Sequence, residues 1–126
     1  MIQRFIELGA GYSDLYELIE TSKANANRVS RFLILETDID GRSMSSFAVV
    51  MQPTDPGQFQ AIYLCLEGIP AGETKRRQLF QELSESLEKP MIALNVKSSG
   101  EFAEKELYYQ YLTGILRMNR YLPAWQ

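Results

Sequence analysis

The side chains with chemical potential fall into one constellation. Carboxylates Glu36, Asp38, Asp40 and Glu67, the amide Asn95, the cation Lys97 and the hydroxyls Ser98 and Ser99 stand at or just beyond the ends of apolar, strand-like runs. Asp38 and Glu67 offer oxygen ligands of the kind a divalent cation takes. Lys97 and the run Lys75-Arg76-Arg77 lie beside Gly72-Glu73-Thr74 and Ser98-Ser99-Gly100, two segments that read as helix starts. Helix starts present unpaired N–H groups, so this second set suits a phosphate or carboxylate. A plainer account competes with both: loop edges are polar because they face water.

What is missing narrows the chemistry further. Histidine is absent from all 126 residues, and cysteine occurs once, at Cys65. That excludes Ser–His and Cys–His nucleophile pairs, histidine acid–base catalysis and histidine metal ligation. Cys₄ zinc sites and iron–sulfur clusters go with the cysteine count. Cys65 sits among apolar neighbours and reads as a buried, inert thiol. Gly9-Ala10-Gly11 matches half of a dinucleotide fingerprint, without its third glycine or a strong strand ahead of it. No Gly-rich loop followed by a strand lysine and no HRD- or DFG-like pair is present, so kinase chemistry has no residues to run on. No catalytic residue and no cofactor is assigned.

Positioning that rim requires a sheet. Phe59 to Pro70 is apolar on both alternations and reads as a central strand covered on both faces. Val29 to Asp38 and Ser46 to Gln52 are strands joined through Asp40-Gly41, a hairpin signal. Pro53 to Gly57 forms a longer turn. Gly72 to Lys89 shows a Leu79, Phe80, Leu83, Leu87 stripe and predicts a helix that Pro90 ends. Met91 to Val96 follows as a short strand, parallel to the central one by the strand–helix–strand rule. Helices are predicted from Ser13 to about Asn25 and from about Glu101 to Asn119. The last buries Ala103, Leu107, Tyr111, Leu112, Ile115 and Leu116. Met1 to Leu8 is too short to classify. The expected fold is a single α/β (α+β) domain over residues 1–126, with one mixed four-stranded sheet, helices on both faces and the order α-β-β-β-α-β-α. The three like-directed strands would end at one edge, where open α/β sheets usually bind ligands.

Two resemblances add to this reading. The element order from Ser13 to Val96 resembles the PD-(D/E)XK nuclease-like core, which implies a metal-dependent enzyme. The strand Gln58 to Glu67 lacks that family's acid-and-lysine pair. At most a degenerate member using Asp38 and Glu67 follows. MIQRFIELGAGYSDLYELIE and PTDPGQFQAIYLCLEGIP are similar to a family of small uncharacterised proteins from spore-forming Firmicutes, a domain of unknown function. That likeness implies no catalytic residues.

The formal net charge of −3 gives no global attraction to nucleic acid or to an anionic membrane. No run is long enough to span a bilayer and the start has no signal-peptide layout, so a cytoplasmic protein is expected. Tyr108, Tyr109, Tyr121 and Trp125 crowd the last quarter, and such residues are enriched at protein interfaces. The leading expectation is a non-enzymatic binding domain that pairs with itself or another protein. A nuclease-like enzyme and an anion-binding domain are the alternatives.

Overall fold

A computed structural model describes residues 2–10, 12–53, 59–72 and 74–122. In chain order the elements are β1 (Gln3–Ala10), α1 (Tyr12–Ala24), β2 (Val29–Ile39), β3 (Arg42–Met51), β4 (Gln60–Pro70), α2 (Lys75–Ser86), β5 (Met91–Asn95) and α3 (Lys105–Met118). The expected turn at Pro53 to Gly57 lies largely outside the described residues.

The hairpin forms as its residue types require. Asp40 and Gly41 both take positive φ, 52° and 79°, between β2 and β3. A two-residue loop of that kind matches the right-handed twist of its strands. β2 and β3 then pair antiparallel from Val29↔Met51 to Ile39↔Arg42. β4 adds antiparallel to β3, and β5 adds parallel to β2.

The sheet has five strands, not four, in the order β1-β4-β3-β2-β5. The additional strand is β1, which pairs parallel with β4 from Gln3↔Gln60 onward. Eight residues of mixed character do not declare themselves locally. Here the outer edge of β4 supplies the partner that makes them a strand. The centre of the sheet is accordingly β3, and β4 is interior, flanked by β1 and β3.

Helices cover both faces. On one, Leu15 and Leu18 of α1 and Phe80 and Leu83 of α2 pack on Phe32, Ile34, Phe47 and Val49. Phe80 meets Phe32 and Phe47 edge-on, with ring centroids 5.2 and 4.9 Å apart. On the other, Tyr108, Leu112 and Leu116 of α3 pack on Leu33, Leu35, Ala48, Val50, Ile62 and Leu64. The alternation along β2 explains this split, since neighbouring residues of a strand point to opposite faces.

α3 corrects its expected face and start. The helix begins at Lys105, after a 3₁₀ turn at Ser99–Glu101. Its buried row is Tyr108, Leu112 and Leu116, while Leu107 is 45% exposed and Ala103 is exposed. Burying Tyr108 removes far more apolar surface from water than burying Leu107 would, because an aromatic ring buries about 150–250 Å². α1 likewise starts at Tyr12, one residue before Ser13. Among the described residues, no helix is long and apolar enough to cross a membrane.

Candidate functional site

β1, β2, β4 and β5 run in one direction and β3 in the other, so four strand ends share one edge. Glu36, Asp38, Asn95 and Gly72 there line a cleft of about 620 Å³, with Ser43 from β3. Glu36 and Asn95 are register partners on β2 and β5, which brings an acid and an amide side by side. Arg77 of α2 reaches the same acid, with Nη1 donating to Glu36 Oε1 at 2.6 Å. Thr74 caps that helix by accepting from Arg77 N at 3.2 Å. The cap positions Arg77, and Arg77 neutralises Glu36. Glu73 lies outside the described residues.

Glu67 does not join Asp38. The pairing of β3 with β4 slips between Phe47↔Cys65 and Ser45↔Ile69, so Leu66, Glu67 and Gly68 bulge from the ladder. A bulge re-aims the side chain it carries. Glu67 turns to Ser99, whose N–H donates at 2.8 Å and whose hydroxyl donates at 3.0 Å to its two carboxylate oxygens. Glu67 lines a different cleft, with Asp40 and Arg42, from the one Asp38 lines. Among the described residues no group of three or more Asp, Glu, Cys or His could hold a metal ion.

The remaining rim residues serve the exit from β5. Lys97 N donates to the Tyr111 hydroxyl at 2.9 Å. Ser98 is buried, and its N–H donates to Glu101 Oε2 at 3.1 Å, half of the capping box its spacing predicts. These contacts hold β5 and α3 together.

The aromatic residues predicted as a surface are largely cover for the sheet. Tyr108 is fully buried, so it lies on no surface of the single chain. Tyr109 is half-buried and stacks on Phe5 of β1, with centroids 4.6 Å apart and planes within 5°. Tyr121 is half-buried under the Arg31 guanidinium at 5.3 Å. Trp125 lies outside the described residues. Burial, then the Glu67 carboxylate, pushes the Tyr108 phenol well above its usual range. Burial and the neighbouring Glu7 carboxylate do the same to Tyr109. Glu7 itself would be raised by its partial burial, but Lys105 at 2.6 Å and Tyr109 bring it below the usual carboxylate range.

Gly9 lies within a strand, β1, contrary to the local reading, and Gly11 lies outside the described residues. The Gly9 end of β1 still offers poor ground for a phosphate. The Asp14 carboxylate lies against Gly9, so close that an added Cβ would sit 2.8 Å from its Oδ2. The helix start already has its own negative charge.

No motif marks two further features. One is the outer side of β5, which has no strand beside it among the described residues. The other is the opposite edge of the sheet, where Arg31, Arg117 and Arg120 converge from β2 and the end of α3. The arginines are scattered in sequence. Only Arg117 and Arg120 stand near Tyr121 in sequence, and nothing local ties Arg31 to them.

A mixed five-stranded sheet with two helices on one face and one on the other defines the class as α+β. Within that class the chain belongs to the family described as a domain of unknown function (DUF7147), whose model matches residues 1–122. No curated protein and no solved structure matches this chain.

Proposed function

We propose that this domain is a non-enzymatic interaction module that pairs with a second copy of itself along β5. The observation that supports this reading is the unguarded β5 edge. Phe32 N donates to Pro90 O and Val96 N donates to Glu36 O, each at 2.9 Å. Even-numbered residues therefore face β2, and alternation turns the N–H and C=O of Met91, Ala93 and Asn95 outward. Met91–Asn95 carries no charge, no proline and no bulge. Proteins usually protect edges with such devices.

β1, at the far side of the sheet, is protected. Its exposed Arg4 sits over the Phe59 ring at 4.9 Å, Glu7 pairs with Lys105, and its ladder is broken between Glu7 and Gly9. A peptide or second chain adding to that edge would have to disrupt these groups.

A two-fold axis through Leu94 is the arrangement that best satisfies β5. Leu94 would face its own copy, and Ile92 would face Val96 of the partner, all on the α3 side. Ala93 and Asn95 would exchange main-chain hydrogen bonds. Lys89 and Lys97 would stay apart, whereas an axis through Ala93 would place them opposite each other. Cross-strand apolar pairs contribute about 0.2–1 kcal/mol each, so the reading implies a modest, concentration-dependent dimer.

Size-exclusion chromatography with light scattering tests it. A dimer is expected at high micromolar concentration. Ala93→Pro removes an outward N–H, which an edge strand tolerates, and should yield a folded monomer. A chain that stays monomeric throughout, or a dimer that Ala93→Pro leaves intact, would defeat the proposal.

A further inference from the structure

We infer that the cleft at the opposite edge of the sheet is a binding site for a small phosphate-bearing ligand. The strands β2 and β4 begin there and β3 ends there. The cleft holds about 500 Å³ and is lined by Arg31, Arg117, Arg120, Gln52, Gln60 and Tyr121, among others, with no carboxylate among the described residues of its lining. That volume falls within the roughly 300–1,000 Å³ of small-molecule sites. It leaves room for an organic portion beyond the oxyanion itself.

Three guanidinium groups around one cleft repel each other, and the chain as a whole is acidic. An anion between them removes that repulsion. Planar guanidinium forks match the oxygens of phosphate in pairs. Among the described residues neither Arg31 nor Arg120 forms an ion pair. Arg31 Nε is buried and has no hydrogen-bond partner among the described residues. Its guanidinium instead rests over the Tyr121 ring, which fixes its plane. Arg117 Nη2 donates to Gln3 Oε1, and Arg28 Nε donates to the Gln52 carbonyl at 3.1 Å, bringing a fourth guanidinium beside the cleft.

Arg120 supplies an independent sign. Arg120 N bonds to Arg117 O at 3.0 Å and Tyr121 N to Leu116 O at 2.8 Å, which is a Schellman ending for α3. The residue at Arg120's position in that motif takes a left-handed backbone, and its φ is 61°. Glycine fits there without strain. An arginine there keeps a strained backbone in exchange for a charge at the mouth of the cleft, as residues at binding sites do.

Nuclear magnetic resonance titration of the full chain with inorganic phosphate and with pyrophosphate tests the site. Saturable shifts confined to residues 30–31, 52, 60 and 117–121 are expected, and chloride at matched ionic strength should not reproduce them. Arg120→Gly should weaken phosphate at least fivefold while raising the midpoint temperature of the ligand-free protein. A merely structural role would not give those opposite signs. Arg31→Gln should weaken phosphate about tenfold. Shifts no different from those in chloride, or affinities unchanged in Arg120→Gly, would overturn the site. Tighter binding of a single-stranded oligonucleotide at the same residues would overturn the small-molecule reading.

Discussion

Replacing Tyr108 by Phe should stabilise this protein, which is the reverse of what most core substitutions do. Tyr108 is fully buried on α3, and its ring packs near Phe102, Tyr109 and Tyr111, with centroids 5.5, 5.9 and 6.5 Å away. Phenylalanine keeps every one of those contacts. The hydroxyl is different. Tyr108 Oη and the equally buried Ser46 Oγ lie near each other and interact weakly, but among the described residues neither meets a hydrogen-bond partner in good geometry. A buried polar group left unsatisfied costs about 1–3 kcal/mol. Removing the phenol oxygen should therefore return about 1–2 kcal/mol. For a chain of 126 residues that is a rise of roughly 3–8 °C in midpoint temperature. Urea unfolding followed by far-ultraviolet circular dichroism reads it as a higher midpoint at an unchanged slope. Ser46→Ala should act in the same direction, and the double variant should be close to additive. A loss of 1 kcal/mol or more in Tyr108→Phe, with strong coupling to Ser46→Ala, would mean that the two hydroxyls share a bond or a water. The premise of an orphaned pair would then be wrong.

Two further outcomes follow from the same geometry. Stability should fall as pH rises above 10: the unfolded chain's tyrosines ionise there, while folded Tyr108 keeps its proton, so the unfolded state binds fewer protons. The slope is about 1.4 kcal/mol per pH unit for one such group, and Tyr108→Phe should flatten it. Equal alkaline slopes for the two proteins would contradict this. Gly9→Ala should destabilise by about 1–3 kcal/mol, because φ is 112° and the new methyl meets Asp14 Oδ2 and Cγ at 2.8 and 2.9 Å. Gly41→Ala, at φ 79° with nothing within 4 Å, should cost less, and the comparison by thermal unfolding separates backbone strain from collision.

Local chemistry was readable wherever a signal is local. Asp40-Gly41 announced a hairpin because few residues other than these accept positive φ in succession. The α2 stripe through Phe80 and Leu83 announced a helix because its period is intrinsic to the chain. The common direction of β2, β4 and β5 also followed, since a hairpin reverses the chain and a helical crossover restores it. Missing histidine closed whole reaction classes without any coordinates.

Other features depend on residues far apart in sequence. β1 is a strand because Gln3 meets Gln60, and no property of residues 3–10 alone requires that partner. Glu67 parts from Asp38 because β4 bulges against β3 after Cys65, a slip that exists only between two strands. Tyr108 wins the buried row of α3 over Leu107 because the sheet beneath offers room for a ring there. Arg31 and Arg117, most of the chain apart, line one cleft only because β2 starts where α3 ends. The amino-acid order decided which elements form and which chemistry is absent, since propensity and periodicity act over a few residues. Packing of the whole chain decided which side chains meet, since burial and charge depend on neighbours that no short window contains.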